Sequence, residues 1–246
     1  MIRVGRRIYN KNGTFVDPSY PNFTPILCLT YATQYGALSP YCLKNDNNQI
    51  MENIYQFQKV YTDIPKVKNA YSRYNPKIIW EHQAEIHYDE ATDTLTDEYW
   101  AWRAKGINNP YHVRYPVGFD HRHNCLHLLK ENDDGTYTKL DYVNGRKQVY
   151  IPEYVKLVKL AAKFVELKNK LANGENLLII EVDGPHLESL DYYKEKYGVD
   201  NTFIENSTML VNEANIKIML NDTLHPFGHG YALGMSLLDK DVEWNK

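Results

Sequence analysis

Within MENIYQFQKVY, residues 51–61, a carboxylate, an amide and an amine recur at Glu52, Gln56 and Lys59. An α-helix advances ~100° per residue, so offsets of four and seven bring all three polar ends to nearly one side. A carboxylate held there can take a proton from an attacking water or stabilise developing positive charge. A lysine beside it can bind phosphate, orient the acid, or form an imine with an opened sugar. The same pattern also suits a plain solvated helix face, because exposure is the default for these residue types.

Three further stretches carry reactive or ligand-binding side chains. NDTLHPFGHGYALG, residues 221–234, places His225 and His229 four apart, a metal-ligand spacing on a helix. Pro226 and Gly228 between them favour a loop instead. The Gly228 and Gly230 step can bring backbone N–H groups close to a phosphate at the entry to a helix, and is equally compatible with a plain turn. FDHRHNCLH offers His121, His123 and His127 without paired cysteines or an HExxH pattern, so no metal is expected. YWAWRAKGINNPYHVR interleaves Trp100, Trp102 and Tyr111 with Arg103, Lys105 and Arg114. Such arginines hold phosphates or stack on purines, unless the tryptophans are core and the cations reach past them to water.

These residues need elements to carry them. Residues 1–25, broken by Asp17-Pro18, Pro21 and Pro25, predict an extended arm. ILCLTYAT suggests a short strand, YGALSPY a turn, and NDNNQ a turn delivering the chain into a helix near Ile50. Residues 81–106 predict a helix, an acidic loop, then a second helix from Thr96 that Gly106 ends. Alternating runs around Asp134-Gly135 predict a β-hairpin over residues 125–142. Apolar residues at three- and four-residue spacing predict one long helix between Pro152 and Gly174. NLLIIEVDGP predicts a buried strand and turn, NIKIMLND a short strand or helix, and GYALGMSLLD a closing helix. The expected architecture is one α+β domain over residues 1–246, predominantly helical with a small sheet or β-hairpin.

Bulk composition narrows the partners. With 246 residues, 43% hydrophobic and 24% charged, the chain has the make-up of a globular protein with a sizeable core. A net charge of −3, from 28 basic against 31 acidic residues, offers no general basic face for extended duplex contact. A small molecule or a single modified nucleotide is the expected partner. Three cysteines without CxxC spacing argue for a reducing compartment. Neither a secretory signal nor an apolar run of ~18 residues is evident, so the cytoplasm is expected, with no membrane contact. The 21 tyrosines fit a compositional bias shared with Asn, Lys and Ile.

Taken in order, YGALSPY, MENIYQFQK, AWRAKG and ND…HPFGHGYALG resemble the NADAR superfamily, and are similar to the bacterial riboflavin-pathway N-glycosidases. The family helix E-x-x-x-Q-x-Q-K is matched at Glu52, Gln56, Gln58 and Lys59, and Ser39 stands in the serine place of the preceding turn. Ala101, Arg103 and Gly106 match a second stretch; Asp222, Gly228, Gly230, Leu233 and Gly234 match the C-terminal one. The run after Asp222 is longer and poorer in glycine and cations than the family's, and residues 125–142 and 185–207 look like additions to a smaller core.

The resemblance implies a mostly helical fold and hydrolysis of the bond between ribose C1′ and a nitrogen, without metal or cofactor. The substrate would be a phosphorylated ribosyl or ADP-ribosyl conjugate of a base or amine. Glu52 is then the carboxylate at C1′ and Lys59 a phosphate- or sugar-binding amine. His229 is a proton donor to the departing nitrogen, and Asp222 orders the loop or meets a ribose hydroxyl. Ser39, Gln56, Trp102, Arg103, Gly228 and Gly230 would bind substrate. Two other classes fit parts of the pattern: a non-catalytic ADP-ribose or nucleotide-binding module, and a metal-dependent hydrolase or nuclease built on the histidines.

Overall fold

The computed structural model describes residues 1–29, 33–70 and 79–240. The fold is α+β, with several small sheets beside the helices rather than a single small sheet or hairpin. The chain divides into two compact units, one made of residues 1–43 and 151–246, the other of residues 44–150. No described helix is long and apolar enough to cross a membrane.

The first unit is built on a four-stranded sheet in the order Thr208–Leu210, Ile2–Arg6, Leu177–Glu181, Thr24–Leu27. Leu177–Glu181 pairs in parallel with both neighbours, Ile2 opposite Leu177 and Thr24 opposite Leu177 on the other side. All five of its residues are buried, as the continuous apolar run LLII requires of a parallel strand covered on both faces. The expected N-terminal arm is therefore corrected. Residues 2–6 form an inner strand whose Ile2 and Val4 are almost wholly buried. The prolines that suggested an arm fall in the following loop and in the edge strand Thr24–Leu27, where a missing N–H costs no ladder bond. The other residues of ILCLTYAT include 30–32, which lie outside the described residues.

The long helix expected between Pro152 and Gly174 is two, Ile151–Val158 and Ala162–Ala172. Leu160 is exposed and Ala161 is extended between them, so each half turns its own apolar stripe inward. Residues 213–221 settle as a helix, Glu213–Asn221, whose start is capped by Asn212 accepting from Asn215 N at 2.9 Å. The closing helix His229–Leu237 is buried at all nine positions.

The second unit holds the helix Met51–Gln56, which the chain enters from an extended Ile50. The expected hairpin is present as His127–Glu131 and Tyr137–Leu140, with Gly135 at φ +79° in its turn. It is no loose addition, because its first strand pairs with Lys59–Val60, placing Leu128 opposite Lys59. In place of a helix from Glu81 the chain forms the short strands Ile79–His82, Glu85–Ile86 and Tyr88–Asp89: buried Trp80 and His82 alternate with exposed Ile79 and Glu81, a period of two. The helix from Thr96 is present as Asp97–Ile107, with Thr96 Oγ1 accepting from Tyr99 N at 3.2 Å.

Gly106 does not stop that helix but lies inside it. A Cβ there would stand 2.0 Å from the Phe57 ring. Phe57 is fully buried against Trp102 and Trp80, with ring centroids 4.6 and 4.9 Å away, in a core that also holds Tyr61 and Tyr99. Replacing Gly106→Ala is expected to destabilise the protein by about 1–3 kcal/mol through forced movement of that ring. Urea unfolding measures it; an unchanged midpoint would contradict the contact.

Candidate functional site

Five of the expected site residues, Glu52, Gln56, Lys59, Trp102 and Arg103, lie in the unit of residues 44–150. Glu52 occupies the first turn of Met51–Gln56 and is only 6% exposed. Gln56 Nε2, one turn on, donates to Glu52 Oε1 at 3.0 Å. Asn53 between them is fully buried and fixes the helix to the chain at residues 109–113. Its Nδ2 donates to Asn109 O and Tyr111 O, and its Oδ1 accepts from Val113 N. Nothing in the spacing around Asn53 announced this anchoring role.

Lys59 departs from the expected stripe. The helix ends at Gln56, Phe57 turns down into the aromatic core, and Lys59 opens the next strand. Acid and amide share one helix face while the amine follows on a strand, its Nζ 5.2 Å from the Tyr55 ring centroid. Gln58 Oε1 accepts from Arg103 Nη2 at 3.1 Å, linking the two matched stretches. The buried Arg103 Nε makes no hydrogen bond among the described residues. Trp102 is 3% exposed and packed in the core, so it is no open stacking platform. It borders a hollow of about 520 Å³ that His82, Glu85, Glu98 and Lys105 also line. His121 and His123 are exposed while His127 sits in the hairpin, and among the described residues no three His, Cys, Asp or Glu side chains are grouped to hold a metal.

The other unit holds Ser39, Asp222, Gly228, His229 and Gly230. Ser39 is buried, and its hydroxyl accepts from Tyr41 N at 3.3 Å, closing the turn after Gly36–Leu38. The glycine step receives an internal anion. Glu181, the last residue of its strand, is 1% exposed, and Gly230 N donates to its Oε1 at 2.9 Å. A Cβ on Gly228 or Gly230 would stand 2.3 or 2.6 Å from Glu181 Oε1, so only glycine leaves room for the carboxylate. His229 Nδ1 lies 3.1 Å from Glu181 Oε2, and its Nε2 lies 2.8 Å from Cys28 O. Two acceptors on two ring nitrogens suit the protonated imidazole. Burial works against that proton, but Glu181 outweighs it and raises the His229 pKa. Sequence reasoning missed Glu181; the available signal was a single acid ending an otherwise apolar strand.

Asp222 is fully buried in a separate cluster. It accepts from Tyr192 OH at 2.6 Å, Tyr193 OH at 3.0 Å and Leu224 N at 3.1 Å, and pairs with His225 Nδ1 at 2.6 Å. Burial pushes its pKa up, but the bonds from Tyr192, His225, Leu224 and Tyr193 prevail and hold it below the usual carboxylate value. His225 and His229 thus serve different carboxylates and do not form the ligand pair that their spacing suggested. Comparison with protein-family models, curated proteins and solved structures gave no match.

Because the His229 pKa is raised above 6.5 on folding, its proton contributes stability that is fully present below about pH 6.5 and lost as pH climbs through the raised value. Glu181→Gln is expected to leave only the Cys28 carbonyl and Asp183 against burial, lowering the His229 titration, and to cost about 3–5 kcal/mol. Ring-proton NMR of His229 and denaturant unfolding across pH report both; a titration unmoved by the substitution would contradict the pairing.

Proposed function

We propose that the chain is an N-glycosyl hydrolase cleaving the bond between ribose C1′ and a nitrogen in a phosphorylated ribosyl or ADP-ribosyl conjugate. The observation that carries this reading is Glu52, a carboxylate 6% exposed and oriented by the Gln56 amide at 3.0 Å. As the C–N bond lengthens, the sugar gains oxocarbenium character, and a fixed carboxylate attracts it more strongly than the ground state. The same group can take the proton of the water that attacks C1′. Gln56 helps to fix the plane of that carboxylate through its bond to Oε1.

Lys59 and Arg103 supply cations for phosphate, the Arg103 guanidinium being held by Gln58 Oε1 at 3.1 Å. The likeness of Glu52, Gln56, Gln58, Lys59 and Arg103 to the NADAR pattern supports the assignment. Ser39 and Asp222 are assigned to ordering their turns, and Gly228, His229 and Gly230 to holding Glu181. The chemistry asks for no metal or cofactor. Three free cysteines support a cytoplasmic setting.

Glu52→Gln is expected to lower kcat by at least about 100-fold while ADP-ribose affinity, read by calorimetry, changes little. Undiminished turnover by that variant would sink the assignment. Arg103→Ala is expected to weaken binding by roughly 10- to 100-fold, the scale of a lost charge-assisted hydrogen bond. Tight ADP-ribose binding by the native chain with no cleavage of ribosylamine or ADP-ribosyl compounds, followed by chromatography, would mark a binding module instead.

A further inference from the structure

The Asp222 cluster contains a geometry that glycoside cleavage does not use. His225 Nδ1 lies 2.6 Å from Asp222 Oδ2, and His225 Nε2 lies 2.8 Å from Ser189 Oγ. Serine, histidine and aspartate are therefore linked in the order and at the distances of a charge-oriented nucleophile. We infer that Ser189, His225 and Asp222 form a hydrolytic centre, independent of Glu52, that cleaves neutral carboxylic esters.

Each member is placed for its task. Asp222 is sealed from solvent and bound by Tyr192 and Tyr193, so the side of the imidazole facing it carries the proton and Nε2 is left to accept from Ser189. Ser189 stands at the N-cap of the helix Leu190–Tyr197, where a serine commonly caps the first turn. Its side chain makes no cap bond there, and Oγ is directed to His225 instead. Ser189 is half-buried, with part of its surface open to a substrate. Leu187 and Leu224, close in sequence to Ser189 and His225, are 41% and 65% exposed, which suits an uncharged acyl group.

In the step inferred, Ser189 Oγ bonds to the ester carbonyl carbon as its proton passes to His225 Nε2. The tetrahedral adduct expels the alkoxide, which takes that proton and leaves as an alcohol. Water then attacks the acyl-serine and gives a proton to His225; the adduct expels Ser189 Oγ, which takes that proton back as the carboxylic acid leaves.

An alkyl fluorophosphonate tests this directly, since Ser189 Oγ would bond to phosphorus with loss of fluoride. Peptide mass spectrometry of the full chain is expected to find the adduct at Ser189, formed at least about tenfold faster than at any other serine. The adduct should vanish in Ser189→Ala and slow at least about tenfold in His225→Gln, in parallel with p-nitrophenyl acetate hydrolysis. In denaturing urea the preference for Ser189 should disappear, a control that needs no variant to fold. Labelling spread evenly over exposed serines, or Ser189 labelling that persists unchanged in urea or in His225→Gln, would overturn the inference. No ribosyl compound enters the assay, so its outcome is separate from that of the glycosidase.

Discussion

A carboxylate shut away from water governs the packing of residues 1–43 and 151–246. Glu181 ends a strand whose other four residues are wholly apolar, and its charge has to be satisfied inside the protein. The solution is a helix start: the Gly230 N–H and the His229 imidazole meet the two oxygens, and the helix dipole adds to both. Everything nearby follows from this. Positions 228 and 230 are glycine because any side-chain carbon would collide with the carboxylate, and the whole of His229–Leu237 is drawn into the interior.

In residues 44–150 the governing constraint is apolar. Phe57 must reach the gap beside Gly106 and the faces of Trp80 and Trp102, and that demand cuts the preceding helix to six residues. The cut decides the chemistry on either side. Glu52 and Gln56 stay on helical backbone and bond to each other, while Lys59 passes to a strand whose position is set by the hairpin. Asn53, bonded to backbone groups at residues 109, 111 and 113, prevents this short helix from rotating.

How much of this was legible in the sequence depends on how local the cause was. The Asp134-Gly135 hairpin, the Thr96 cap, the buried LLII strand and the closing helix are dictated by neighbouring residues, and all are where their patterns place them. Residues 2–6 looked like an arm because only the distant strands Leu177–Glu181 and Thr208–Leu210 give them partners. Residues 152–172 kept a helical period across a break that tertiary packing introduces. For the site, the Glu52–Gln56 pairing follows from i, i+4 spacing. The Gly-x-Gly step reads as a cradle for a substrate phosphate or a plain turn, and it is occupied by the Glu181 carboxylate, which no local pattern could name. The convergence of Ser189 on His225, across 36 positions, has no local signature at all.

The place of Ile2–Arg6 also sets the order in which a nascent chain can mature. This strand is hydrogen-bonded along both edges, and each edge awaits residues far along the chain, Leu177–Glu181 and Thr208–Leu210. Residues 44–150, being contiguous, can condense while the chain is still on the ribosome. The early strand meanwhile waits with two open edges, a template for pairing with other chains. Closing so long a loop is slow relative to local helix and hairpin formation. Maturation of this fold therefore depends on whatever shields Ile2–Arg6 until Leu177–Glu181 and Thr208–Leu210 have been made.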